Sequence, residues 1–191
     1  YAGRIVRHAK KDAAGQLGRT RGRRKDNVAS IRSFWVDIDA GEAKWANEAK
    51  RDSLYQTKRD ALVAVGGALD AVGSLPDPSY IIDSGTGIHL YWALTESLEP
   101  GIWVRIAERL RDTLLAAGLK LDRARSKDVA SIMRFPGSIH WGETERGEVE
   151  IRGRLLDKNG KTTDPEVFVR ALSESKVKLT HSRPRAGLAP S

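Results

Sequence analysis

The chain of 191 residues has no cysteine, a single methionine and no apolar run of membrane-spanning length. Without cysteine there is no disulfide and no thiolate zinc site. Any bound metal must then be held by oxygen or imidazole, which favours Mg²⁺ or Mn²⁺ over structural zinc. A spanning helix needs roughly 20 consecutive apolar residues. Arg4, Arg7, Lys10 and Lys11 open the chain with no apolar stretch behind them, so no secretory signal is read and a cytoplasmic setting is expected. Acidic residues are scarce at the N-terminus. Residues 1–32 hold ten Lys/Arg against two acids, while the remainder balances at 23 against 23, so the net charge of +8 is N-terminal.

Within that basic stretch, residues 19–25 form a dense cluster that suits a phosphate backbone through counterion release, and equally a solvated arm or hinge. Residues 1–30 lack a sustained apolar period and read as a flexible basic arm, with order expected from Ile31. Residues 31–175 read as one catalytic-sized domain, and 176–191 as a basic tail or linker. A start at Tyr1 rather than Met, and an end in Arg-Pro-Arg-Ala-Gly-Leu-Ala-Pro-Ser, lead to the expectation of a piece of a longer protein.

What is present begins with Phe34-Trp35-Val36-Asp37-Ile38-Asp39. In a strand, side chains alternate faces, so Phe34, Val36 and Ile38 share one and Asp37 and Asp39 the other. Two like charges on one sheet face repel, and a divalent cation makes such a pair favourable. A water-facing pair on an edge strand is the alternative. Downstream, Tyr80–Ile82 and Ile88–Leu94 read as a hairpin tipped by Asp83-Ser84-Gly85-Thr86-Gly87. Gly85 and Gly87 let backbone approach a bulky anion. N–H groups and the Ser84 and Thr86 hydroxyls can donate to phosphate, and His89 lies on the strand face opposite Ile88, Leu90 and Trp92. A plain turn with an outward histidine is the other reading.

A helix is predicted to end at Leu75-Pro76, and a second to run from Ile102 to Ala117 with Gly118 as its stop. A short strand is expected at 119–122, a helical turn after Asp128, weak alternation over 148–156, and a last helix from Asp164 with Pro165 at its first position. Intermixed helices, strands and hairpins indicate an α+β class. A third carboxylate completing an oxygen cage is Asp122 or Asp128. Arg134, before Phe135-Pro136-Gly137, offers a planar charged fork suited to phosphate or to a salt bridge.

In this order, the segments resemble the archaeo-eukaryotic primase superfamily, especially the primase-polymerase domains of phage and plasmid replication proteins. Residues 34–39 are similar to its first motif, 84–92 to its second, Leu121-Asp122 to its third, and Arg134-Phe135-Pro136-Gly137-Ser138 to the Arg-x-Pro-Gly-Thr segment of the phage and plasmid branch. His140, Trp141 and Gly142 depart from that branch, which often continues with asparagine and lysine. The resemblance implies a two-lobed α+β core, one lobe like an RNA-recognition-motif sheet, with the active site in the cleft. It implies Asp37, Asp39 and Asp122 as ligands of Mg²⁺ or Mn²⁺, and Ser84, Gly85, Gly87, His89 and Arg134 as nucleotide-binding residues. It also implies single-stranded DNA template, primer and NTP or dNTP as partners, with a helicase domain possible outside the chain. The readings kept beside a primase or DNA polymerase are a metal-dependent nuclease and a non-catalytic single-stranded nucleic-acid-binding module. Template contact by residues 19–25 and base stacking by Trp141 are further expectations.

Overall fold

The computed structural model describes residues 24–131, 133–134, 136–137 and 154–177, together with the backbone of 3–5, 139–144 and 147–152. Most of the basic cluster at 19–25, most of the C-terminal tail, and the side chains of His140 and Trp141 lie outside the described residues.

In chain order the elements are β1 (Gly3–Ile5), β2 (Val28–Asp39), α1 (Glu42–Trp45), α2 (Lys58–Val72), β3 (Tyr80–Asp83), β4 (Gly87–Leu98), α3 (Pro100–Ala116), β5 (Ile139–Thr144), β6 (Gly147–Arg152), β7 (Arg154–Lys158), β8 (Thr162–Thr163) and α4 (Pro165–Glu174). The class is α+β, as expected. Among the described strands one sheet runs β1-β2-β4-β3-β7, with β8 parallel to β4, and β5-β6 form a separate antiparallel pair.

β2 starts at Val28, and Gly3–Ile5 pairs antiparallel with it, since an edge strand needs only a backbone partner and no apolar period. One expectation needs correction. Residues 119–122 are not a strand. Their amides are spent outside any ladder, on Leu114 O, the Tyr55 hydroxyl and Asp37 O.

The core lies on one side of the sheet. Phe34, Val36 and Ile38 from β2 and Ile88, Leu90, Trp92 and Leu94 from β4 are buried, and α2, α3 and α4 cover them with Ala61, Val65, Ala68, Trp103, Ala107, Leu110, Leu114 and Phe168. The helical positions recur every three or four residues, which is what one apolar stripe requires. Phe34 contacts both Trp103 (5.8 Å) and Phe168 (4.9 Å). Each buried indole N–H finds a carbonyl: Trp103 donates to Ser33 O at 2.8 Å, Trp92 to Pro76 O at 2.8 Å, and Trp35 to Arg125 O at 3.0 Å. Local signals set the helix ends. Thr57 and Asp60 form a capping box before α2, and Gly73 closes it at φ 72°. Asp164 accepts from Glu166 N at 2.7 Å before Pro165 of α4. Among the described residues no helix is long and apolar enough to cross a membrane.

Gly87 faces β2 at a distance no side chain tolerates, since a Cβ there would lie 2.2 Å from Ile38 O. Gly66, exposed on α2, has nothing within 4 Å of such a carbon. Gly87→Ala should therefore lower stability by about 1–3 kcal/mol through overpacking, whereas Gly66→Ala should raise it by about 0.5–1 kcal/mol. Urea unfolding of the two variants checks the opposite signs.

Candidate functional site

The register of β2 against β4 builds the site. Asp37 stands directly opposite His89, and Asp39 opposite Gly87. Directly paired residues share a face, so the carboxylates of β2 and the histidine of β4 come together on the side away from the helices. Both Asp37 and His89 are nearly buried, at 6% and 4% exposure. His89 Nε2 lies 3.4 Å from Asp37 Oδ1. Burial pushes the Asp37 carboxyl up, but the His89 hydrogen bond and the charges of His89, Arg125 and Lys44 outweigh it and leave the group below its ordinary range, hence ionised.

The segment 119–122 brings the third acid. Asp122 N donates to Asp37 O at 2.8 Å, which docks this stretch onto β2, and Arg125 Nε lies 3.6 Å from both Asp37 Oδ2 and Asp122 Oδ2. Asp122 Oδ1 also accepts from Ala124 N and Arg125 N, so the carboxylate is oriented by the turn that follows it. Asp128 Oδ1 instead accepts from Ala130 N in its own turn. Asp39 is held by Lys44 of α1, whose Nζ also donates to Thr86 O at 3.1 Å. Among the described residues no group of three or more His, Cys, Asp or Glu side chains closes into a ready cage for an ion. The donor chemistry nevertheless fits a hard divalent ion: oxygen donors on one face, each already attracting an organic cation.

The glycine turn is built differently from the expected anion cradle, in which its amides were to face phosphate. Ser84 N donates to Gly87 O at 3.0 Å and Gly85 N to Asp83 Oδ1 at 2.7 Å, so these two N–H groups are committed within the turn. Gly85 is required by φ 88° and Gly87 by its approach to Ile38. Ser84 itself is buried. Asp83, which the motif reading passed over, is the turn's anchor. Lys58 Nζ at the start of α2 lies 2.7 Å from its Oδ1, and Arg154 Nη2 of β7 lies 3.2 Å from its Oδ2. Burial pushes the Asp83 carboxyl up, but hydrogen bonds from Lys58, the Gly85 amide and Arg154 and the Lys58 charge outweigh it and leave the group depressed.

Two residues along the strands from Asp37 and His89 the same region opens into a cavity of about 470 Å³, lined by Ser33, Tyr80, Tyr91, Met133 and Arg134 and flanked by Arg32 and Lys158. Its charged side chains are all cationic. The Tyr91 ring packs edge-on to His89 at 6.3 Å, and burial and the Asp37 charge raise its phenol well above the ordinary value, so it remains a neutral O–H donor. Arg134 Nη1, Ser33 Oγ and His89 Nδ1 are buried and have no hydrogen-bond partner among the described residues. The structure thus sets Asp37 against His89 with Asp122 docked beside them, leaves Asp39 two residues along β2 in the hands of Lys44, puts Ser84 and Gly85 in the turn that leads into β4 at Gly87, and places Arg134 in the adjoining cavity. Lys44, Lys58, Asp83 and Arg125 were missed. Asp83 directly precedes the serine of the motif and Arg125 is one turn beyond Asp122, which are the sequence signals that point to them.

Because its carboxyl is depressed in the fold, Asp83 stabilises the chain above the ordinary value of 3.8, and that contribution is lost as pH falls through the lower folded value. Asp83→Asn keeps the acceptor for Gly85 and loses the charge, so it should be less stable by about 2 kcal/mol at neutral pH. Thermal unfolding from pH 7 to pH 2 should show that gap level above 3.8 and closing below it.

No family model matches the chain. A replication protein of Clostridium perfringens is 28% identical over 120 residues, which cover 62% of this chain but only 26% of that protein. Among solved structures, the AEP domain of the primase-polymerase of cyanophage S-2L superposes with a TM-score of 0.51 at 20% identity, over 79% of this chain and 65% of that one. The primase RepB′ gives 0.40 at 15% identity, over 81% and 46%, a likeness too remote to add weight. At 20% identity the likeness to the cyanophage protein is one of fold, and the chain shares the fold of the AEP domain of that primase-polymerase.

Proposed function

We propose that the chain is a template-dependent nucleotidyltransferase, a primase or DNA polymerase that makes or extends primers on single-stranded DNA. The observation that carries the reading is the facing of Asp37 and His89 across β2 and β4, with Asp122 docked on Asp37 and a cationic cavity alongside. Asp37, Asp39 and Asp122 would hold Mg²⁺ or Mn²⁺. When bound, the metal supplies charge neutralisation at the triphosphate and its pyrophosphate leaving group, and makes the attacking 3′-hydroxyl more acidic.

The chain's own residues do the placement. His89 faces Asp37 through Nε2, and its buried Nδ1, without a partner among the described residues, is left for the nucleotide. Arg134 Nη1 and Ser33 Oγ are donors with no acceptor among the described residues, and polyphosphate oxygens would provide one. Tyr91, which lines the same cavity, keeps its proton and can donate. Nucleotidyl transfer forms a bond from the primer 3′-oxygen to the α-phosphorus and breaks the bond to pyrophosphate, so binding both ends of the triphosphate aligns the reacting atoms. Template and nucleotide are proposed partners. So is a helicase domain elsewhere in a longer protein.

The test is incorporation of labelled nucleotides on a single-stranded template, with and without primer, comparing ribo- with deoxyribonucleotides and Mg²⁺ with Mn²⁺. The expected result is metal-dependent synthesis that Asp37→Asn with Asp39→Asn lowers by at least about 10³-fold while the circular dichroism spectrum is kept. Synthesis persisting in the double variant would refute the reading, and strand cutting without incorporation would establish a nuclease instead.

A further inference from the structure

Lys44 and Arg125 are the cations that face the three acids: Lys44 pairs with Asp39, and Arg125 lies between Asp37 and Asp122. Arg125 Nε is equidistant, at 3.6 Å, from Asp37 Oδ2 and Asp122 Oδ2, too far for a hydrogen bond to either and well placed to balance both. An ion coordinated at about 2.1 Å requires these two carboxylates to close on the position that the guanidinium now screens. Lys44 engages Asp39 and, through Thr86 O, the turn between β3 and β4. It therefore spans the acidic strand and the hairpin tip. Both side chains are more than a third exposed, at 50% for Arg125 and 36% for Lys44, and can leave without breaking the core.

Resting on the nucleotidyl-transfer reading, we infer that Lys44 and Arg125 are built-in stand-ins for the divalent ion. They neutralise the three aspartates in the ion-free chain and are displaced when ion and nucleotide arrive together. Their destinations differ. Arg125 also lines a cavity of about 430 Å³ beside the acids, which gives the guanidinium room to swing away but no vacant carboxylate, since Lys127 Nζ already holds Glu108 there at 3.0 Å. Lys44 is tied to the hairpin tip instead, through Thr86 O. It stays at the hairpin tip beside Thr86 and turns to the triphosphate, whose negative charge replaces that of Asp39.

The consequence is ordered loading. An ion arriving alone must displace two cations that gain little elsewhere, so it binds weakly. An ion arriving with a triphosphate brings a partner for Lys44, and the two ligands bind cooperatively.

The test measures free Mn²⁺ by electron paramagnetic resonance, with and without a non-hydrolysable deoxynucleoside triphosphate, on the wild-type chain and on Lys44→Met, Arg125→Gln and Arg170→Gln. The last removes the same charge from α4. We expect Lys44→Met and Arg125→Gln each to bind Mn²⁺ alone about tenfold more tightly than wild type, and Arg170→Gln to be unchanged. Nucleotide affinity at saturating Mn²⁺ should fall about tenfold in Lys44→Met and hold in Arg125→Gln. Unchanged or weaker Mn²⁺ binding in either variant overturns the inference, and so does equal tightening by Arg170→Gln. If the variants gain Mn²⁺ affinity but the wild-type chain binds no nucleotide, the stand-in role survives and the nucleotidyl-transfer reading fails. If wild type binds the Mn²⁺-nucleotide but the variants match it throughout, the reverse holds.

Discussion

The pairing of Asp37 with His89 across β2 and β4 is the constraint on which the site depends. A slip of one residue in that register would turn Asp37 and Asp39 into the helix-covered core and expose Phe34, Val36 and Ile38. The aromatic and aliphatic face that packs on Trp103, Leu110 and Phe168 therefore fixes the position of the acids as firmly as any contact they make themselves. Gly87 tightens the same register, because only a residue without a side chain can approach Ile38 O so closely. Core packing and site geometry share a single pair of strands.

Placing ionised carboxylates on a nearly buried face carries an electrostatic cost, and the structure meets it with cations drawn from separate elements. Arg125 comes from the turn after Asp122, Lys44 from α1, Lys58 from α2 and Arg154 from β7. Asp37 and Asp83 are both held below the ordinary carboxyl range by such neighbours despite burial. The two clusters differ in what they serve. Around Asp83 the cations fasten the hairpin tip to its surroundings. Around Asp37, Asp39 and Asp122 they balance the acids themselves, beside a cavity whose buried donors have no acceptor among the described residues.

The alternation in Phe34–Asp39 and in Ile88–Trp92 was enough to read both strands and the face on which Asp37, Asp39 and His89 lie, since a period of two needs no tertiary information. Proline and capping residues likewise marked α2, α3 and α4. What stayed hidden depended on docking. Leu119–Asp122 has the composition of a strand, yet its amides go to Asp37 O and to the Tyr55 hydroxyl, partners set by the fold. Lys44, Lys58 and Arg125 are ordinary surface residues in one dimension, and only the folded chain sets them against the acids. Gly85 and Gly87 were visible, but their reasons were not: a left-handed turn and a close strand contact.

The most direct test is an anomalous-scattering map from crystals grown with Mn²⁺ and a non-hydrolysable deoxynucleoside triphosphate. The account predicts a manganese peak at about 2.1–2.3 Å from oxygens of Asp37 and Asp122, with the polyphosphate running past His89 toward Arg134. Manganese bound elsewhere on the chain, or a nucleotide seated away from the β2–β4 face, would contradict it.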